Sequence, residues 1–212
     1  MKKEFREIPD VMSAEYCKNC GGFSWIDFVA GMPHLVFLVT GWKPNGKENA
    51  CLQSWSTFVG ANTDDFVCVF GKVNPRGHMY QSLKSTGCCV VNFPTADIYD
   101  RCVKTIENNQ LGTDEITEAG LTAEPALRVN APRVKECFLN IECKFLWEHP
   151  LCEASEDMVV DVKAVSVSMD SERYDQSKVG RYNGGYQFQI DQPTNPETGE
   201  ISCVRTEFTE VK

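Results

Sequence analysis

Apolar positions along the chain fall mostly in short runs with a period of two, the spacing of strands rather than of helices. "HLVFLVTGW" (34–42) is apolar and β-branched, "KPNG" behind it is a turn, and residues 49–54 run back as its hairpin partner. "FVCVFGKV" (66–73) and "CCVVNF" (88–93) read as two further strands. In a longer one, Leu139, Ile141, Cys143, Phe145 and Trp147 share a face. In the last, Val160, Val162 and Ala164 share a face before the apolar phase slips to Val165, Val167 and Met169, which predicts a bulge that bends the sheet toward closure.

Helical signals are sparse. Asp10 can cap a short helix over residues 11–19 that Gly21 and Gly22 stop. Asn74-Pro75 opens a helix at 78–85 ended by Gly87, and residues 97–109 place Ile98, Cys102, Val103 and Ile106 on one face. Residues 112–132 read as a polar connector with one helical turn. Nothing alternates as βαβ, and no repeat or low-complexity linker divides the chain. The expectation is one all-β domain over residues 1–212, antiparallel with flanking helices, with an N-terminal extension of 1–33 and a tail of 187–212.

Composition narrows the partners. The chain is 42% hydrophobic and 24% charged, ordinary for a globular domain, and its net charge of −9 lacks the basic face a phosphate backbone needs. The N-terminus has no apolar segment behind its charges, and the longest apolar run, 35–39, is far too short to span a bilayer. A cytoplasmic protein with no nucleic-acid or membrane partner is expected. Eleven cysteines, an odd number without a secretion signal, fit reduced thiols, and Cys68, Cys88, Cys89 and Cys143 sit in apolar runs as small core residues.

The familiar catalytic motifs are absent. There is no Gly-rich dinucleotide or P-loop fingerprint and no G-x-S-x-G elbow. His34, His78 and His149 have no metal-ligand spacing, and Cys17-Lys18-Asn19-Cys20 supplies only two of the four ligands that structural zinc requires. What stands out is "NACLQSWSTFVG" (49–60), with an amide, a tryptophan and three hydroxyls, followed by Lys72, Arg76, His78 and Tyr80. Such donors suit an anion carrying a flat polar ring. The alternative is a core tryptophan flanked by turn hydroxyls.

The segment "NACLQSWSTFVG" resembles the Asn-x-x-x-x-Ser-Trp-x-Thr stretch of the flavoredoxin branch of the flavin reductase-like family. "TGCCVVNFP", "DEITEAGLT" with "NAPRVKECFLNIEC", and "RYNGGYQ" resemble further elements of that family in the same order, so the resemblance covers residues 35–186. It implies a six-stranded antiparallel Greek-key split barrel that binds FMN at a homodimer interface. Carried over by position, it implies that Asn49, Ser54, Trp55, Ser56 and Thr57 line the flavin, with Asn49 and backbone groups of Ala50 and Cys51 toward the ring and Ser56 and Thr57 toward the phosphate end. It also implies phosphate or ribityl contacts at Arg76, His78 and Tyr80, with Asn92 on a neighbouring strand as a further candidate.

The resemblance implies an FMN-dependent oxidoreductase in which the flavin carries the chemistry and no side chain need act as acid or base. It would be a flavin reductase taking hydride from NADH or NADPH, or a flavoredoxin-like carrier served by a redox-protein partner. Many reductase members carry a Gly-Asp-His segment before the penultimate strand. Here that stretch is Ser155-Glu156-Asp157-Met158, without the histidine. Two alternatives stand beside this expectation: a non-catalytic flavin-binding protein of the same fold, and a thiol or metal protein built on Cys17 and Cys20.

Overall fold

The computed structural model describes residues 2–12, 24–60, 62–171, 186–190, 193–200 and 204–207. The chain divides into two compact units, one of residues 1–34 with 188–206 and one of residues 35–187 with 207–212. In the smaller unit, helix α1 (Trp25–Ala30) has a complete capping box: Ser24 Oγ accepts from the Ile26 N–H, and Asp27 Oδ2 accepts from the Ser24 N–H. Gly31, at φ 55°, ends it in the left-handed region. Met12 and Phe28 form its buried core. The helix expected over 11–19 falls mostly on residues 13–23, which lie outside the described residues, as do Cys17, Cys20 and the Gly184-Gly185 turn.

The larger unit is built on strands β1 (His34–Trp42), β2 (Glu48–Gln53), β3 (Ser56–Gly60), β4 (Phe66–Val73), β5 (Cys88–Phe93), β8 (Leu139–Pro150) and β9 (Met158–Met169). β6 (Ala123–Pro125) and β7 (Pro132–Val134) pair as a small separate ladder inside the stretch expected as connector, and β10 (Gln187–Ile190) and β11 (Val204–Glu207) follow. Six strands run β1-β5-β8-β9-β4-β3, and β2 pairs with β1 alone among the described strands.

Rings show how that sheet curls. β1 and β3 stand at opposite ends of the six-strand order, yet Phe37 of β1 meets Phe58 of β3 edge-on with centroids 5.2 Å apart and lies 6.0 Å from Phe70 of β4. Side chains rather than a ladder therefore bring the two ends together, giving an antiparallel split barrel around one aromatic core. The expected fold class holds, although the described strands number more than the six expected.

Two bulges on the long β8–β9 ribbon produce the bend. Glu142 pairs with Ser166 while Cys143 pairs with Ala164, leaving Val165 as the extra residue where the apolar phase slips. Val167 and Met169 consequently stand opposite Ile141 and Leu139. β4 carries a third irregularity between Phe70 and Val73. There Gly71 donates its N–H to the Trp55 carbonyl at 2.6 Å, and a Cβ at Gly71 would lie only 2.8 Å from that same oxygen.

β1 is apolar on both faces because it separates two cores. Phe37 and Val39 belong to the barrel interior, while Leu38 packs with Ala50, Ile116, Leu121 and Val134 beneath the connector. Helix α2 (His78–Thr86) lays Met79 and Leu83 on the barrel core and approaches β1 where Gly41 leaves room for Ser82. The helix expected over 97–109 is shorter: a 3₁₀ turn leads into α3 (Tyr99–Lys104), followed by helix α4 (Glu115–Glu118). Thr105 Oγ1 donates to the Cys102 carbonyl at 2.7 Å, a side-chain bond that competes with continuation of the helix and leaves Ile106 47% exposed.

The Gly71 contact yields a first prediction. Gly71→Ala forces a methyl against a backbone carbonyl and is expected to lower stability by about 1–3 kcal/mol. A urea midpoint equal to that of the unsubstituted protein would show that the β4 irregularity does not depend on this approach.

Candidate functional site

The outer edge of β2 carries backbone N–H groups that β1 cannot reach. The Glu48 N–H donates to Asp114 Oδ1 at 3.1 Å and the Ala50 N–H to Glu115 Oε2 at 2.7 Å, so two carboxylates at the start of α4 stand in for a strand. Burying Glu115 (2% exposed) demands a counter-charge, and Lys43, whose side chain is fully buried, supplies it at 2.7 Å. Lys43 Nζ also donates to the carbonyls of Gln110 and Thr113 at 2.8 and 2.9 Å. Asn45 Nδ2 donates to the Leu111 carbonyl, and Lys47 pairs with Asp114 at 2.6 Å. Residues 110–114 are thereby tied to the β1–β2 hairpin, and with 105–109, which lead into them, they form a strap beside it.

Opposite that strap stands the start of α2. Asn74 Oδ1 accepts from the Arg76 N–H and the Asn74 carbonyl from the Gly77 N–H, shaping a tight turn. Gly77 is the N-cap and offers no side chain to the first turn of the helix. Helix geometry leaves the first N–H groups without intrahelical partners, and these favour an anion.

Between strap and helix lies a cleft of about 170 Å³ lined by Asn49, Ala50 and Cys51 from β2, Gly77 and His78 from α2, and Thr105, Ile106 and Asn109 from the strap. Asn49 is 2% exposed and its Nδ2 has no hydrogen-bond partner. His78 is mostly buried, with Nδ1 3.7 Å from Glu115 Oε1. The cleft thus presents an orphaned amide donor, an imidazole and a helix N-terminus. That donor set fits an anionic group rich in acceptors, such as a flavin phosphate, better than it fits a metal. Among the described residues, no group of three or more His, Cys, Asp or Glu side chains could hold a metal ion.

Asn49, Ala50, Cys51 and His78 are therefore brought together, while the other expected contacts scatter. Ser54 is 7% exposed and Trp55 joins it at the corner between β2 and β3, where the Trp55 carbonyl is engaged by Gly71. Ser56 Oγ is buried without a partner and Thr57 is exposed, both on β3 and outside this cleft. Arg76 is exposed and paired with Glu156. Tyr80 donates its phenol to Glu148 Oε1 at 3.0 Å; burial, and then that bond, push its pKa up, so it stays a neutral donor.

The geometry commits two of the expected groups to partners within the chain. Asn92 is fully buried: its Nδ2 donates to the Leu38 and Val90 carbonyls and Thr40 Oγ1, and its Oδ1 accepts from the Val134 N–H and Asn140 Nδ2. Both ends of that amide are committed to joining β1, β5, β7 and β8, so it is a structural residue. Of the Ala50 and Cys51 backbone groups expected near the flavin ring, the Ala50 N–H is already held by Glu115.

Lys43, Glu115 and the 105–109 wall were not legible as site elements. The one sequence signal was a lysine directly after an apolar strand and an acidic pair opening a helical turn, and nothing in the pattern joined them. The loop after β8 holds no imidazole, and its Glu156 and Asp157 face Arg76 and Lys72, the latter at 3.8 Å. His149 lies against Trp147 on β8 with the two rings tilted, outside the cleft.

The curled antiparallel sheet with this cleft at its β2 edge defines a split-barrel domain. Residues 29–187 match the family described as flavin reductase like domain, and the chain belongs to that family. An uncharacterised protein of Methanothermobacter thermautotrophicus is 30% identical over 63 residues; the match spans only 30% of this chain and 30% of that protein's length.

Solved structures share the fold at low identity. Nitrilotriacetate monooxygenase component B from Bacillus cereus superposes with a TM-score of 0.72 at 16% identity, over 96% of this chain and 97% of that one. Flavoredoxin of Desulfovibrio vulgaris gives 0.61 at 16% identity, over 81% and 87%. An FMN-binding protein from Thermus thermophilus gives 0.65 at 12% identity, over 85% and 89%.

Two predictions follow from the site's chemistry. Lys43→Met strands a buried carboxylate and is expected to destabilise by about 3–5 kcal/mol, with part of the loss recovered in Lys43→Met/Glu115→Gln. Equal urea midpoints for the single variant and the unsubstituted protein would remove the strap from the account. Burial pushes the Cys51 thiol up to about 11 and Cys102 up to about 12, whereas Cys152 is exposed. Alkylation of native protein at neutral pH, read by mass spectrometry, should modify Cys152 well before Cys51 or Cys102, and the half-buried Cys51 reacting as fast as Cys152 would contradict its raised thiol pKa.

Proposed function

We propose that this chain binds FMN, with the phosphate end in the cleft between β2 and α2, and acts as a flavin-dependent oxidoreductase. The observation that carries the reading is the orphaned, buried Nδ2 of Asn49 facing the same cleft as His78 and the unsatisfied start of α2. Bound flavin supplies two-electron chemistry at its N5. The chain's own residues bind and orient: Asn49 and the first N–H groups of α2 donate to phosphate oxygens, His78 adds an imidazole donor, and the strap excludes water from that end.

A cleft of about 170 Å³ is smaller than the roughly 300 Å³ or more that encloses a whole ligand. The flavin ring would then lie beyond the cleft, toward Ser54, Trp55, Ser56 and Thr57, the reverse of the orientation expected from the sequence, where a second copy of the chain can cover it. The homodimer belongs to this proposal, as does a cytoplasmic location; among the described residues no helix is long and apolar enough to cross a membrane. The donor is NADH, NADPH or a redox-protein partner. The absence of an imidazole from residues 151–157, with Glu156 and Asp157 turned on Arg76 and Lys72, favours the protein partner.

Purified protein is expected to be yellow or to take up FMN stoichiometrically, and stopped-flow mixing with NADH, NADPH and reduced ferredoxin then identifies the donor. Colourless protein that cannot be reconstituted with FMN removes the proposal. Bound FMN that none of the three reduces turns it into a flavin-binding protein without catalysis.

A further inference from the structure

A cleft whose donors suit an anion carries no fixed positive charge of its own. Among the described residues that line it there is neither lysine nor arginine. Lys43 is held by Glu115 and two carbonyls, and Arg76 and Lys72 are engaged by Glu156 and Asp157. From the strap, Thr105, Ile106 and Asn109 bring no charge. Two of the lining side chains titrate, Cys51 and His78, and burial pushes the Cys51 thiol up to about 11, so near neutral pH it stays uncharged. A phosphate dianion entering this partly buried place would meet N–H groups alone, and a buried charge without a counter-charge is costly.

His78 can supply that counter-charge. Its Nδ1 is buried without a hydrogen-bond partner and stands 3.7 Å from Glu115 Oε1, on a carboxylate whose other oxygen already accepts from the Ala50 N–H. A neutral imidazole has a single N–H. With the hydrogen on Nδ1, toward Glu115, the other nitrogen meets a phosphate with a lone pair; with it on Nε2, Nδ1 turns a lone pair on the carboxylate. Only the imidazolium donates to both. His78 is also the first residue of α2, at the positive end of the helix dipole, which opposes charging of the ring until an anion is present to offset it.

We propose that anion binding in this cleft is coupled to protonation of His78: as the phosphate enters, the imidazole takes one proton from solvent, turning Nδ1–H on Glu115 and Nε2–H on a phosphate oxygen. The proposal rests on the reading that the flavin phosphate lies in this cleft. No covalent bond other than that N–H forms, and the buffer gives up the proton. The pH dependence has a definite sign. Where the ring is already protonated in the free chain the coupling is silent, and as pH rises each bound phosphate must draw its proton from solution, so affinity falls.

The test is calorimetric titration of FMN into the full chain, in buffers of different ionisation enthalpy, between about pH 7 and about pH 9, where a phosphate monoester with a second pKa of about 6 is mainly dianionic. The dependence of the heat on the buffer counts the protons taken up. Uptake of about half a proton or more is expected near neutral pH, with FMN affinity at least about fivefold lower at the upper end of the range. In NMR spectra the His78 ring in the complex should keep its protonated shift at a pH where that of the free chain has moved to the neutral one. His78→Gln keeps a neutral donor and should bind FMN with no proton uptake; the two measurements on the unsubstituted chain decide the matter if this variant does not fold.

Binding of FMN without net proton uptake and with equal affinity across the range overturns the proposal, as does uptake that persists in His78→Gln. A histidine that only packs the start of α2 would give no proton count in the unsubstituted chain. Failure of FMN to bind at any pH counts instead against the flavin reading and removes this inference with it.

Discussion

The larger unit turns on one unusual burial: Lys43 at 0% and Glu115 at 2% side-chain exposure, 2.7 Å apart. Neither charge could be left alone there, since an unpaired ion in a protein interior is far more costly than the pair. The pair is tolerable because its remaining capacity is used. Lysine donates to two carbonyls, and the carboxylate accepts the Ala50 N–H. Those bonds close the open edge of β2, hold residues 110–115 in place and seat α4 over the second core, where Ile116 packs with Leu38 and Ala50. An electrostatic constraint thus sets the position of apolar parts that hydrophobic burial alone would leave free to slide.

From that constraint the cleft acquires its character. β2 is held from outside, so the Asn49 side chain, rather than the Ala50 backbone, remains free to serve a ligand. α2 begins on a glycine, so its first turn is not capped from within. The cations that looked best placed for a phosphate from their spacing, Arg76 and Lys72, are engaged by Glu156 and Asp157. In the proposed reading, recognition therefore rests on a side-chain amide, an imidazole and a helix terminus in a partly buried place, where a hydrogen bond is stronger than at the surface.

Much of the barrel was legible. The runs at 34–42, 66–73 and 88–93 are strands with the expected bounds, because each is a dense apolar segment between strong turn signals. The bulge at Val165 was legible because a bulge is a phase slip, which sequence records directly. β3 was not among the expected strands, since Ser54 and Trp55 interrupt the pattern and its pairing with β4 is a tertiary choice. The helix over 97–109 was overextended because periodicity cannot see the Thr105 hydroxyl turning back on Cys102. Asn92 was misjudged because a fully satisfied core amide and a ligand-binding amide look identical as letters. The Lys43–Glu115 pair was invisible for a related reason: 72 positions separate its members, and only the fold brings them together.

The central claim is that the cleft between β2, α2 and the strap is where the flavin's phosphate end binds. The most direct measurement is a ¹H–¹⁵N NMR spectrum of the labelled chain titrated with FMN. The account predicts that the backbone amides of His78 and Met79 and the side-chain amide of Asn49 shift most, with Asn92 Nδ2 unmoved. Shifts confined to residues 56–60, with Asn49 and the start of α2 silent, would contradict it.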